Sequence, residues 1–520
     1  MATSTTISKI LIANRSEVAL RIQATCRVLG IKTVVVFCAE DSLAQFVRQA
    51  DEAYLLPGSG ALAYLDKQAL LKIAVLAKVD AIHPGYGFLS EQWTFAEMVI
   101  KAGLCWIGPN PETLRIAADK VNARSFVKRQ GIAVLDGVTF SERSLVSKTI
   151  AYEESLKLGF PVIIKDAQAG GGKAMRRVLN ADGFSEAWDA VVSEGERLGC
   201  SGGIVIERYL VKPRHIEVQI AGDGLNFVHY YERECSVQRK HQKIIEEAPC
   251  VFLRQETRNK IHQAAVMIAE ALGYKGIGTV EFLVDAQDQI YFMEINPRLQ
   301  VEHSVTESVT GTDLVALQIN IAQGKGLLLE QEAIAIVGHA VEVRIYAEDP
   351  SLQFMPSTGV LKRVAFPRSR YVRVDCDLEE GSEVSSYFDP MIAKITVYGA
   401  NRLAALDSMH VVLQNSCIEG IKTNISFLDA IITASFFEQG LLHTQLLEDK
   451  DFLSGLLKSQ ALIIDDNHKV IAFAGYMLDD YLQKSRPNGV VVAKSQSVVD
   501  ENNHACVSTC ACAWRAQLWS

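Results

Sequence analysis

The apolar positions change period twice within the first forty residues. "KILIAN" (Lys9–Asn14) is a short continuous apolar run and predicts a buried strand. "SEVALRIQATCRVL" (Ser16–Leu29) carries a helical stripe, Gly30 stops it, and "KTVVVF" (Lys32–Phe37) predicts a second strand. A strand–helix–strand order implies a parallel sheet with a right-handed crossover. The intervening turn, "ANRSE", has no glycine to let backbone approach a pyrophosphate, which argues against a nicotinamide or flavin cofactor there. A further apolar strand, "VDAIH", leads into "HPGYGFLSE" (His83–Glu91). Such a loop lies where open α/β sheets bind ligands, although an ordinary β-α turn reads the same way.

From about residue 160 the pattern alternates instead. "GFPVIIKDAQAGGGKAMRRV" predicts strand, glycine loop, strand. Walker A is excluded, because Lys173 precedes Ala174 rather than a Ser or Thr opening a helix. A lid and a solvent-exposed hairpin both remain open. In a lid, the bare N–H groups of Gly170, Gly171 and Gly172 approach phosphate oxygens and Lys165 pairs with their charge. "GGIVIERYL" follows as an apolar strand with a charged exit, in keeping with a hinge beside an adenine pocket.

"TVEFLVD" and "QIYFMEIN" predict a hairpin with the loop Ala286–Gln289 and Asp285 opposite Ile290. That register faces Glu281 with Glu294, their Cβ atoms roughly 5 Å apart, and Asn296 shares the face. Facing carboxylates repel unless a cation lies between them. Two carboxylates and an amide suit Mg²⁺ held together with nucleotide phosphates. A one-residue slip would separate the pair, and two solvated glutamates on an outer face are the alternative. Next come Arg298, Glu302 and His303, residue types for anion binding and general-base work. Upstream, "ERECSVQRKHQKIIEEAP" packs Arg233, Arg239, Lys240, His241 and Lys243 into eleven residues, a predicted anion site.

The chain's 520 residues suit two to four domains, with 49% hydrophobic and 22% charged residues. A formal charge of −9 argues against nucleic-acid and membrane-surface partners, and the sequence has no apolar run of about 18 residues. Eleven cysteines without framework spacing point to reduced thiols and an intracellular, cytoplasmic setting. The N-terminal apolar run is too short for a signal peptide.

Five stretches together resemble one family: "HPGYGFLSE", "ERECSVQRKHQKIIEEAP", "EINPRLQVEHSVTE", "GHAVEVRIYAEDP" and "FDPMIAK". The chain is similar, in order from about residue 8 to 450, to the biotin carboxylase component of biotin-dependent carboxylases, including acyl-CoA carboxylase α-subunits. The resemblance implies an α/β and α+β fold: a Rossmann-like N-terminal domain (1–118), an ATP-grasp domain (119–330, lid about 138–208) and a C-terminal α+β domain (331–455). It implies carboxylation of carrier-bound biotin with ATP and bicarbonate, through carboxyphosphate, and Mg²⁺ or Mn²⁺ as the metal. Expected for ATP are Lys120, Lys165, the three glycines, Glu207, Leu210, His215, Gln238 and His241, and for the metal Glu281, Glu294 and Asn296. Lys243, Arg298 and Val301 would line the bicarbonate pocket, Glu302 would be its base, and Arg344 would stabilise the biotin anion. The implied partners are a biotin carboxyl carrier protein or domain, a carboxyltransferase subunit and a second copy of the chain.

The chain departs from the family's usual loop at Asp166, Ala169 and Ala174, and it has Ser16 and Ser304 where glycine and proline are usual. An alanine held at positive φ costs about 1 kcal/mol or more, and Asp166 is expected to set a negative charge beside Lys165. A catalytically impaired or truncated subunit, acting as an assembly partner, is therefore the alternative reading. Residues 456–520 predict a helical stripe (470, 473, 477, 481) and then an irregular tail, whose His504, Cys506, Cys510 and Cys512 lack paired zinc spacing. The sequence has no Met-Lys-Met tripeptide, so the chain is expected to be either a subunit served by a separate carrier or a truncated α-subunit, and the helix plus tail favours truncation.

Overall fold

The computed structural model describes residues 6–169, 174–200, 202–449 and 451–457. The predicted helical extension and tail lie outside them, as do Gly170, Gly171 and Gly172. Strand β1 (Lys9–Ile12) pairs in parallel with β2 (Lys32–Phe37), and helix α1 (Ser16–Leu29) makes the crossover. Val18, Ala19, Ile22 and Cys26 form the buried stripe of α1, and Gly30 ends it at φ 70° with its N–H directed to the last turn. With β3 (Glu52–Leu55), β4 (Ala81–His83) and β5 (Cys105–Trp106), the five strands form a parallel sheet in the order β3-β2-β1-β4-β5. Ser16 has φ 56°, so the turn after β1 does use a left-handed residue, which serine supplies at a steric cost.

Strands β6 (Gly137–Phe140), β7 (Val162–Asp166), β8 (Met175–Val178) and β9 (Ile204–Arg208) form an antiparallel sheet, β6-β9-β7-β8. Val162, Ile164, Val178, Ile204 and Ile206 pack against Phe184, Trp188 and Val191 of the helix Phe184–Arg197. Strand alternation sends Ile163 and Lys165 to the other face. Asp166 therefore lies on the helix side. Its carboxylate pairs with Arg143 at 2.6 Å and accepts the Gln168 N–H at 2.9 Å, and a Cβ at Gly195 would strike it. The expectation of a negative charge beside Lys165 is thus corrected. Ala174 has φ 47° and donates its N–H to Glu194 at 3.0 Å, whereas Ala169 is not among the described residues with positive φ. One of the two alanines carries the expected strain.

The third sheet has eight strands and is antiparallel throughout. Its strands are β10 (Arg214–Asp223), β11 (Phe227–Arg239), β12 (Gln242–Ala248), β13 (Lys275–Val284), β14 (Ile290–Asn296), β15 (His339–Tyr346), Val372–Cys376 and Met391–Gly399. The order is β14-β13-β10-β11-β12-β15, then Met391–Gly399, then Val372–Cys376. The predicted hairpin is β13–β14, with Glu281 opposite Glu294 as expected. Near the turn the register differs, because Val284 rather than Asp285 faces Ile290. A bulge between Glu281 and Phe282 absorbs the offset and restores the glutamate pairing. No helix among the described residues is long and apolar enough to cross a membrane.

Candidate active site

The four-stranded β6–β9 sheet and the eight-stranded sheet both line a cavity of about 1210 Å³. Every expected site residue within the described chain lines it: Lys120, Lys165, Glu207, Leu210, His215, Gln238, His241, Lys243, Glu281, Glu294, Asn296, Arg298, Val301, Glu302 and Arg344. They come from seven separate segments, which the topology gathers around one cavity.

At one end, Lys165 of β7 pairs with Glu207 at 2.5 Å, and Arg124 closes on the same carboxylate. Burial, then the Lys120 and Arg124 charges, press the Lys165 ammonium towards neutrality. The Glu294 charge opposes that tendency, and an incoming polyphosphate would reverse it. Glu294 lies 3.8 Å from Lys120. Asn296 donates its Nδ2 to Glu281 at 2.8 Å and to Glu294 at 3.4 Å, so the three oxygen-bearing side chains converge as the hairpin requires. Two carboxylates and an amide on one wall fit a hard divalent cation with oxygen ligands.

Deeper in the cavity one ammonium organises three carboxylates. Lys243 contacts Glu217, Glu281 at 2.8 Å and Glu302 at 2.7 Å. Arg344 reaches Glu302 at 3.0 Å and Glu246 at 2.7 Å. Burial alone would push the Glu302 carboxyl up, but Lys243, Arg344 and Arg233 outweigh it and hold the carboxyl well below its usual range. Glu281 is held low in the same way, by Lys243 and His215 against burial. Burial wins at Glu217, which is raised, and at Glu246, which is pushed up to about 8. Glu302 is therefore an ionised carboxylate beside two cations. An anion drawn onto Lys243 would take up part of that positive field and raise the proton affinity of Glu302 towards an ordinary carboxylate.

Arg298 donates to Glu91 at 2.5 Å and to Asn296 at 3.1 Å, tying the "HPGYGFLSE" loop to the site. The Val301 carbonyl accepts a bond from the fully buried Lys394. Ser304 bonds the buried Glu342 and lies 2.7 Å from Thr396.

The predicted five-member cationic cluster does not hold together as one anion site. Arg233 points away from the nucleotide end and is spent on Glu217, Gln219, Thr306, Thr279 and Gln300, at 2.5 to 3.0 Å. Arg239 pairs with Glu348 over the Phe354 ring. Of the five, His241 and Lys243 line the cavity. Sequence reasoning missed Glu217, Arg233 as a brace, Gln300, Glu91, Glu246 and Arg124. A signal existed for Glu217: His215, Glu217 and Gln219 are polar at alternate positions of an otherwise apolar strand, so they share one buried face. His303 was grouped with the chemistry, but it is fully buried with Nδ1 2.8 Å from the Gln300 carbonyl, facing the core.

Three family descriptions cover this architecture. The central segment, residues 119–330, matches "Carbamoyl-phosphate synthase L chain, ATP binding domain". Residues 6–114 match "Biotin carboxylase, N-terminal domain" and 342–449 match "Biotin carboxylase C-terminal domain". An ATP-binding domain framed by those two defines an enzyme of the ligase type. The chain belongs to the biotin carboxylase family. It is 42% identical over 443 residues to biotin carboxylase 2 of Bacillus subtilis, covering 85% of this chain and 99% of that one. It is 43% identical over 470 residues to the mitochondrial methylcrotonoyl-CoA carboxylase subunit alpha of Oryza sativa, covering 89% of this chain and 63% of that protein's length. Among solved structures, the β-γ-ATP complex of Campylobacter jejuni biotin carboxylase superposes with a TM-score of 0.82 at 38% identity, covering 85% of this chain and 99% of that one. The biotin carboxylase domain dimer of Hydrogenobacter thermophilus 2-oxoglutarate carboxylase, with MgADP, ADP and bicarbonate, gives 0.83 at 35%, covering 86% and 99%.

Proposed function

We propose that this chain carboxylates biotin on a carrier protein or domain, using ATP and bicarbonate, as the first half-reaction of an acyl-CoA carboxylase. The observation that carries the reading is Glu302, held ionised between Lys243 and Arg344 on the wall that also bears the Glu281–Glu294–Asn296 set. Bicarbonate binds to Lys243 and Arg298 beside the Val301 backbone. Glu302 takes its proton, and the freed oxygen attacks the γ-phosphorus of ATP, giving carboxyphosphate and ADP. The carboxyl group then passes to the N1′ nitrogen of biotin as its C–O bond to phosphate breaks, and the departing phosphate takes up the N1′ proton. Arg344 steadies the enolate-like ureido oxygen through fixed positive charge. Lys120, Lys165 and His241 bind the phosphates, His215 and Gln238 complete the nucleotide wall, and Glu207 and Leu210 lie at the base. Mg²⁺ or Mn²⁺ at Glu281, Glu294 and Asn296 would supply charge neutralisation for the polyphosphate. Residues 138–208 form the lid, and residues 331–455 form the biotin-side domain.

A biotin carboxyl carrier protein or domain, a carboxyltransferase subunit and a second copy of this chain complete the assembly, which works in the cytoplasm without membrane or nucleic acid. The Campylobacter structure, a β-γ-ATP complex, and the Hydrogenobacter structure, with MgADP, ADP and bicarbonate, support the reading. The test is ATP hydrolysis with and without bicarbonate and free biotin. Cleavage that needs bicarbonate and rises with biotin is expected, and cleavage indifferent to bicarbonate would overturn the reading.

A further inference from the structure

We propose that Gln445 is a positioning residue for the nucleotide, clasping the hinge between the lid and the large sheet so that the hinge backbone presents a fixed edge to the base. This rests on reading the cavity as an ATP site. Gln445 lies more than 230 residues beyond the hinge and precedes the short turn Leu446–Glu448. Its Nε2 donates to the Leu210 carbonyl at 2.9 Å, and its Oε1 accepts the Lys212 N–H at 3.1 Å. The neighbouring Thr444 N–H donates to the Pro213 carbonyl at 2.9 Å. Three bonds thus tie one short segment to residues 210–213, where the chain leaves the lid. Lys212 has φ 50°, a conformation a lysine adopts at a cost, and the clasp spans that residue.

The other hinge groups are accounted for. The Arg208 N–H donates to the Asp136 carbonyl at 2.9 Å, and the Tyr209 N–H to the Pro161 carbonyl at 3.0 Å. With the Leu210 carbonyl taken by Gln445, the Leu210 N–H is left without a protein partner among the described residues. A purine lying there meets a donor. That donor suits the bare ring nitrogen N1 of adenine and opposes the N1–H of guanine. Without the clasp, the Leu210 carbonyl is released and the edge loses its definition. The same turn also carries Glu448, 3.9 Å from Arg177 of the lid strand β8 and 4.0 Å from His241, so the segment touches both sides of the hinge.

The test is equilibrium binding of Mg-ATP and Mg-GTP to the full chain, by calorimetry, for wild type and Gln445→Leu. The substitution keeps the bulk and removes both bonds. ATP binding should weaken about ten-fold, the worth of one to two neutral hydrogen bonds, while GTP binding changes less and the ATP preference narrows. Gln445→Glu, which keeps the acceptor and loses the donor, should fall between. Catalytic turnover at saturating ATP should change by less than about two-fold, since a positioning role acts through the Michaelis constant. Equal ATP binding in the folded variant would overturn the proposal alone. A drop in turnover at unchanged ATP affinity, or an unaltered ATP preference, would overturn it as well. If Gln445→Leu fails to fold, the same comparison with Gln445→Glu decides. A wild type that binds no ATP would overturn the reading of the cavity, and the proposal with it.

Discussion

Replacing Glu302 by glutamine separates the base from the scaffold around it. The buried cluster holds four carboxylates, Glu217, Glu246, Glu281 and Glu302, around three cations, Lys243, Arg233 and Arg344. Losing one carboxylate leaves Lys243 with Glu217 and Glu281, and Arg344 with Glu246, whose carboxyl the Glu302 charge then no longer raises. No cation is stranded, so the large penalty of an uncompensated buried charge does not arise. The fold and the melting temperature should change little. The chemistry should change a great deal, because glutamine keeps the shape and cannot accept the bicarbonate proton. General-base loss costs about 10²- to 10⁴-fold, or roughly 3 to 5 kcal/mol at 1.36 kcal/mol per decade. The assay is bicarbonate-dependent ATP cleavage at saturating ATP, with Arg344→Gln measured in parallel. Arg344→Gln should retain much of the ATP cleavage and lose carboxyl transfer to biotin. A Glu302→Gln variant that cleaves ATP at the wild-type rate would refute the base assignment. Equal loss of both partial reactions in both variants would refute the division of roles.

Glu294→Gln should abolish Mg-ATP turnover without unfolding the chain, since Glu294 is part-exposed on the cavity wall; wild-type turnover would contradict the metal assignment. Ala174→Gly should relieve the left-handed strain at φ 47° and stabilise the chain by about 1 kcal/mol, whereas Ala169→Gly should not; unfolding monitored through Trp188, packed on the β6–β9 sheet, tests both. Acid should act in two directions. Glu281 and Glu302 have depressed carboxyls, so their stabilisation is complete above about pH 4.3 and is lost as pH falls through their lower folded values. Glu217 and Glu246 are raised, so the cost of ionising them fades on acidification. Glu246→Gln should therefore stabilise the chain more at pH 9 than at pH 6, and equal shifts at both would contradict the burial argument.

Much of the fold and of the site was legible because period and position carried it. The β1–α1–β2 unit, the glutamate pairing and the convergence on one cavity all followed from alternation and motif. The sequence was less clear where a single residue altered the count. The bulge in the β13–β14 hairpin shifts the register between the turn and Glu281 and leaves no mark in composition. Asp166 was misjudged by adjacency in sequence, although neighbours in a strand face opposite ways, and its partner Arg143 is 23 residues away. The cationic cluster dispersed for the same reason: Arg233 and Lys243 sit on paired strands, but the brace around Arg233 comes from residues 217 to 306.

The eight-stranded sheet places β12 three strands from β13, a span of about 14 Å at the usual spacing in a flat sheet. Yet Lys243 of β12 reaches to 2.8 Å from Glu281 of β13. The two side chains meet over β10 and β11, the strands between them. Lys243 thus works as a tie: it holds Glu281 on one side and Glu302 on the other, and Arg344 holds Glu302 in turn. Under the proposed function, a single side chain keeps the metal-bearing wall and the biotin-side arginine at a fixed separation. A change that cut this tie would uncouple ATP cleavage from carboxyl transfer while leaving every carboxylate in the sequence intact.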